Sequence, residues 1–183
     1  MAVAGSCVPG PNSRSGAGER NAACPGLSQP GNRSRRRRVF HPGKEAGMHS
    51  LEQLRRGELA GARRLDLSAD LTRFPEEIYA LADTLEVLNL SGNQLDTLPA
   101  DLSRLHRLRI LFCSDNGFRE LPECLGDCQR LEMVGFKANR IERVPAAALP
   151  PSLRWLILTD NHIEELPSAL GLRANLQKLM LAG

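Results

Sequence analysis

The chain has 183 residues, with 24 Lys and Arg against 21 Asp and Glu, and a formal net charge of +3. It contains no apolar run of about 18 residues and no apolar N-terminal segment of roughly 7–15 residues, so its sequence predicts neither a membrane-spanning helix nor a secretory signal peptide. We therefore expect one cytoplasmic domain without a membrane partner, whose five cysteines are reduced thiols.

Residues 1–47 form a basic segment without an apolar period. They carry eight Lys and Arg against two Asp and Glu, a net +6, whereas residues 48–183 carry sixteen against nineteen, a net −3. Gly, Pro, Ser, Asn and Arg dominate the segment, so we expect it to be disordered. The run Arg35–Arg38 is compatible with a nuclear-import or RNA-contact patch. The segment has no Tyr or Trp on which bases could stack, so a solvated charge run is favoured and nucleic-acid binding is not expected. A third interpretation is an upstream extension without function, since the ordered pattern begins at Met48.

Residues 48–61 are predicted to form an N-terminal cap helix. Ser50 is a favourable N-cap, and Gln53, three residues later, completes a capping-box pattern. Leu51, Leu54 and Leu59 give the segment one apolar stripe, and we expect the helix to end near Gly61. An array of stacked repeats needs such a cap to cover its first coil.

Residues 62–183 repeat one pattern. The stretch LEVLNLSGNQLDTLPADLSRL, which begins at Leu85, reads L-x-x-L-x-L-x-x-N-x-L-x-x-L-P-x-x-L-x-x-L. Further copies begin at Leu108, Leu131 and Leu153, and a fifth, from Leu176, is incomplete. The asparagines recur at intervals of 23, 23 and 22 residues, at Asn93, Asn116, Asn139 and Asn161.

A degenerate first repeat precedes the full copies. It has one residue fewer than they do, and Asp70 stands where they have asparagine. Terminal repeats of an array are commonly atypical in this way. The chain is thus predicted to hold one degenerate repeat, four full repeats and one truncated repeat.

The spacing predicts a leucine-rich repeat solenoid of the α/β class. In each copy a short strand such as Val87–Asn89 alternates its side chains, so that Leu88 faces the core and its neighbours face outward. One copy cannot bury its own leucines, whereas stacked coils join them into a continuous core. We expect a parallel sheet on the concave side, short helical or irregular segments on the convex side, and a ladder of Asn amides between successive coils.

From Leu85 onward the pattern resembles the leucine-rich repeat superfamily, including its intracellular Leu-Pro class. The resemblance covers residues 62–183 and implies a curved solenoid. The segment from Met48 to Gly183 also resembles the N-terminal arm of bacterial leucine-rich repeat proteins that carry a Ser/Thr kinase-like domain, on the stretches LRILFCSDN, MVGFKAN and LRWLILTDN. The kinase motifs are absent, so the resemblance carries no catalytic residue to this chain.

The outward strand positions are the predicted partner-binding site. Counted from the first Leu of each copy, the third and fifth positions are unexpectedly apolar for exposed residues. The alternative is that these side chains lean onto the sheet and are half-buried. Trp155 is the only tryptophan, a residue type enriched in binding hot spots, and Gly135 is expected to leave a gap for a partner side chain. The predicted binding residues are Val87, Asn89, Ile110, Phe112, Met133, Trp155, Ile157, Lys178 and Met180.

No catalytic constellation, cofactor motif or metal site emerges from the sequence. Phosphate-binding, dinucleotide-binding, esterase and zinc-protease motifs are all missing. Cys124 and Cys128 have the spacing of a metal pair, but no second pair completes four ligands, so core thiols are the favoured interpretation. We expect that this chain is not an enzyme.

Two functional hypotheses remain open from the sequence. The first is a protein-interaction module that binds a partner protein on the concave face. The second is a truncated regulatory or substrate-recruiting arm of a larger signalling enzyme, such as a Ser/Thr kinase, because LQKLMLAG stops inside a repeat. An uncapped last strand would leave Leu176, Leu179 and Leu181 poorly covered, so we also expect self-association or fraying there.

Overall fold

The computed structural model describes residues 48–182, and the predicted disordered segment 1–47 lies outside the described residues. Six three-residue strands form one parallel sheet in chain order. The register pairs equivalent residues, as Leu88 with Leu111 and Leu111 with Val134. The leucine-rich repeat fold predicted from the spacing is therefore confirmed. The strands are β1 (Arg64–Asp66), β2 (Val87–Asn89), β3 (Ile110–Phe112), β4 (Met133–Gly135), β5 (Trp155–Ile157) and β6 (Lys178–Met180).

Short 3-10 helices connect the strands on the opposite side of the core. In four of the five, the N-cap is the proline of a Leu-Pro, Val-Pro or Phe-Pro step, whose ring fixes φ where the chain leaves the strand side. Each 3-10 helix buries one or two apolar side chains. The helices are Glu76–Leu81, Leu102–Arg104, Glu123–Asp127, Ala146–Ala148 and Ser168–Leu172.

The N-terminal cap contains a shorter helix than the sequence predicted. Helix α1 spans Leu51–Arg55, with both hydrogen bonds of the Ser50–Gln53 capping box formed. It does not continue to Gly61, because Gly57 already adopts φ +72° and turns the chain. The segment before α1 runs beside β1, where the His49 amide donates to the Asp66 carbonyl at 2.8 Å. The cap thus covers the first edge of the sheet.

The leucines of successive coils share one core. The side chains of Leu65, Leu88, Leu111, Val134 and Leu156 are fully buried. At roughly 1.5–3 kcal/mol for each fully buried aliphatic side chain, this stacking is the main stabilising contribution. Two aromatic rings, Phe118 and Phe136, also lie inside, edge to face with centroids 4.9 Å apart.

The repeated asparagines bridge neighbouring coils. The Asn139 amide donates to the Cys113 carbonyl at 2.9 Å and to the Phe136 carbonyl at 3.1 Å, and its oxygen accepts from the Phe118 amide at 3.2 Å. Comparable bonds form at the other three positions. They satisfy backbone groups that the turn after each strand removes from the sheet ladder.

Asp70 does not take the structural role of the asparagine it replaces. Its side chain is exposed and its backbone is left-handed, with φ +50°. The amides of Ala69 and Leu71 both donate to Asn93 Oδ1, each at 3.0 Å, just as the Phe118 amide donates to Asn139 of the next coil. The asparagine of the next coil therefore satisfies this turn.

Candidate functional site

The outward side chains of the six strands form one surface, which we call the concave face. Register places the third-position residues in one row, Arg64, Val87, Ile110, Met133, Trp155 and Lys178. The fifth-position row is Asp66, Asn89, Phe112, Gly135, Ile157 and Met180. Seven of the nine predicted binding residues are partly exposed, and Lys178 and Met180 are exposed. The sheet thus brings all nine onto one surface.

The expected gap at Gly135 is filled by the protein itself. A Cβ on Gly135 would lie 2.6 Å from Cδ1 of Phe112, so the Phe112 ring covers this position. Gly135 is buried as a result. The prediction that a partner side chain could enter there is therefore wrong. Because Gly135 has no side chain, the ring can approach the strand backbone closely.

Trp155 and Lys178 form a cation–π pair at the C-terminal end of the concave face. The Lys178 ammonium lies 4.6 Å from the centroid of the Trp155 ring. The two residues are register partners on adjacent strands. Cross-strand neighbours of this kind hold each other's rotamers, so the ring and the charge are pre-positioned.

The N-terminal end of the same face is polar. Arg64 donates twice to Asp66, at 2.7 and 2.9 Å, and the Asn89 amide donates to the same carboxylate at 3.0 Å. The guanidinium of Arg64 lowers the pKa of Asp66, with a further contribution from Asn89. Asp66 therefore stays ionised, and its charge is neutralised within the protein.

A ladder of alternating charges follows one border of the concave face. It occupies the second position of each copy, directly before the strands. The guanidinium of Arg109 lies 3.1 Å from the carboxylate of Glu132. The neighbouring pairs are looser, with Arg63 at 3.7 Å from Glu86 and Arg154 at 3.9 Å from Glu132. Sequence reasoning missed this feature, although the alternation of sign at repeat spacing was visible. The row is Arg63, Glu86, Arg109, Glu132, Arg154 and Gln177.

The described residues contain no candidate metal site. No three His, Cys, Asp or Glu side chains between residues 48 and 182 lie close enough together to hold a metal ion. Burial raises the pKa of Cys124 to about 11 and that of Cys128 to about 12, and it raises the pKa of Cys113 as well. These three thiols therefore stay protonated at neutral pH. No helix in this part of the chain is long and apolar enough to cross a membrane.

The convex side carries a shallow groove of about 930 Å³. Leu98, Leu121 and Ala147 contribute apolar surface, whereas Arg119 and Arg140 alternate with several carboxylates at its rim. Cys124 borders it, and the raised pKa of this thiol keeps it protonated at neutral pH.

Comparison with known proteins gives a consistent picture. The sequence model of the Leucine Rich Repeat family matches residues 84–105. The chain is 34% identical over 116 residues to the probable inactive serine/threonine-protein kinase roco10 of Dictyostelium discoideum, a match that covers 57% of this chain. It is 38% identical over 79 residues to the protein phosphatase PHLPP-like protein of Drosophila melanogaster, with 42% of this chain covered.

Solved structures show the same architecture. A leucine-rich repeat protein of Leptospira interrogans superposes with a TM-score of 0.58 at 29% identity, covering 64% of this chain and 31% of that one. The curated relatives are much longer than the region they share with this chain. The match spans 4% of the Dictyostelium protein and 8% of the Drosophila protein.

Proposed function

Because the chain is a leucine-rich repeat protein that resembles the repeat arm of kinase-like proteins, we propose that it binds another protein on its concave face. Leucine-rich repeat domains are generally protein-interaction modules. The observation that supports this face is the partly exposed apolar surface around Trp155, which includes Met133 and Ile157 and is bordered by polar groups. Contiguous apolar surface with a polar rim is typical of interaction sites.

A pair of matched truncations tests the proposal. Trp155→Ala removes the only tryptophan from the concave face, whereas Leu172→Ala removes an apolar side chain that is 84% exposed in a 3-10 helix on the other side. A partner captured by the wild type should bind Trp155→Ala at least about thirtyfold more weakly, the effect of losing about 2 kcal/mol at a hot spot. Leu172→Ala should bind normally. Equal affinity of all three proteins in a calorimetric titration would reject the proposal.

We infer, as a second candidate function, that the chain acts as a regulatory or substrate-recruiting arm of a larger cytoplasmic signalling enzyme. The support is that relatives with similar repeats include proteins named as a probable inactive kinase and as a protein phosphatase-like protein. Reading the genomic sequence past codon 183 tests this candidate. An in-frame catalytic domain would support it, and an immediate stop codon would contradict it.

We also propose that the β6 edge permits self-association. Leu179, Met180 and Leu181 are 37–45% exposed there. Strand β6 pairs only with β5 among the described strands, so one side of its backbone is free to pair. Sedimentation analysis should show dimers that weaken when Leu181 is changed to Lys. A wild-type protein that stays monomeric at high micromolar concentration would contradict this.

A further inference from the structure

Almost all cations around the concave face lie within 4 Å of one of the protein's own carboxylates. Arg64 pairs with Asp66, and Lys137 pairs with Asp160 at 3.5 Å. The three arginines of the bordering ladder pair with glutamates. These are Arg63 with Glu86, and Arg109 and Arg154 with Glu132.

Lys178 is the exception among the cations on the six described strands and their borders. No carboxylate of the described residues lies within ion-pair distance of its ammonium group, which instead rests over the Trp155 ring. Its neighbours in the adjacent rows, Ile157 and Met180, are apolar, and Gln177 is uncharged. The aromatic ring orients the ammonium but accepts no full hydrogen bond from it, so its N–H donors remain available to a ligand.

We propose that the partner of the concave face presents a carboxylate to Lys178 next to an apolar side chain that packs on Trp155. This inference rests on the proposed function and specifies the chemistry of the partner. A partner that covers Trp155 would exclude water from the neighbouring ammonium, which strengthens a charge pair there. A partner without an acidic group would bury the Lys178 charge unpaired. The arrangement therefore selects an acidic–apolar segment over a purely apolar or basic one.

The test uses a random peptide library displayed on phage, panned against the full chain and its variants. Wild type should enrich peptides that carry Asp or Glu beside an aromatic or aliphatic residue. Lys178→Glu should shift the enrichment to Lys or Arg at the same place. Lys137→Ala is the matched control, because that cation lies on the same face but already has Asp160 as its partner. It should keep the wild-type preference.

A synthetic peptide from the enriched set then gives an affinity. It should bind Lys178→Ala about tenfold more weakly than wild type, the loss expected for one charge-assisted hydrogen bond. The wild-type affinity should also fall as salt is raised. Circular dichroism should show each variant folded like the wild type.

The outcomes separate this inference from the function on which it rests. Enriched apolar peptides that depend on Trp155 but are indifferent to Lys178 would overturn the acidic-partner inference and leave the concave-face proposal standing. No enrichment that depends on Trp155 would count against both. Equal loss of acidic peptides in Lys178→Ala and Lys137→Ala would also overturn the specific role of Lys178.

Discussion

Replacing Asn139 by Ala should be strongly destabilising, for a reason that can be worked out atom by atom. Asn139 is 6% exposed. Its amide oxygen accepts from the Phe118 amide, and its amide nitrogen donates to the carbonyls of Cys113, Phe136 and Lys137. The last two carbonyls have further partners, Asn161 Nδ2 and the Asp115 amide. The Phe118 N–H and the Cys113 carbonyl have no other partner among the described residues.

The substitution therefore leaves two buried backbone groups unpaired. At roughly 1–3 kcal/mol for each, the expected cost is about 2–6 kcal/mol. Domains of this kind are stable by only about 5–15 kcal/mol, so the variant should lose a large part of its total stability. The polar demand of the turn explains why an asparagine recurs here in each full repeat.

Asn116→Ala is the matched control. Asn116 is partly exposed, and its loss leaves only the Leu95 N–H without a described partner. The two carbonyls to which Asn116 donates keep other donors. The Leu90 carbonyl also accepts from Asn93, and the Ser114 carbonyl also accepts from the Gly92 amide. Its cost should be about 1–3 kcal/mol. Urea unfolding followed by circular dichroism measures both values. A loss for Asn139→Ala no larger than that for Asn116→Ala would refute the counting of unpaired groups.

Three further predictions follow from the same contacts. Gly135→Ala places a Cβ against the Phe112 ring and should cost about 1 kcal/mol of stability, because the ring must tilt toward solvent. Gly171→Ala, with open space around the new Cβ, should change the melting temperature little. Equal melting temperatures of the two variants would contradict the close approach of the ring to Gly135. Since the pKa of Asp66 is lowered in the folded state, its contribution to stability is complete above its unfolded value of about 3.9 and is lost as pH falls through the lower folded value. The stability gap between wild type and Asp66→Asn should therefore narrow below about pH 4, and a gap that widens there would reverse the assignment. In a Cys7→Ser, Cys24→Ser variant, the three remaining thiols should react with iodoacetamide at pH 8 at least about a hundredfold more slowly in the native chain than in urea. The reason is that burial raises their pKa values. Fast labelling of the native chain would show that the core opens.

The stacking of the coils could be predicted because spacing alone determines it. Leucines that recur with the period of a coil must align once the coils stack, so Leu88, Leu111 and Val134 become neighbours whatever their rotamers are. Alternation along each strand also assigned Trp155 and Ile110 to the outward face. The extent of α1 was overestimated, because the left-handed backbone at Gly57 leaves no mark in an apolar stripe.

The candidate site was predicted as a set of positions but not as a surface with its own contacts. Gly135 was expected to leave a gap, yet the neighbouring Phe112 ring fills it. Asp70 occupies the position of the repeated asparagines, but its side chain is exposed, and Asn93 of the next coil satisfies that turn. Both outcomes depend on the orientations of individual side chains, and the repeat pattern does not contain that information.

The sequence by itself determined the solenoid, the order of its strands and the positions that face outward, because each follows from a period. Only the tertiary structure decided which charges are neutralised. Arg64 and Lys137 find carboxylates within the chain, whereas Lys178 lies over Trp155 without one among the described residues. The physical reason is that charge pairing depends on distances of a few ångströms between the charged ends of side chains in different coils. Residue spacing fixes the positions of the backbone, but it does not fix the positions of the ends of long side chains.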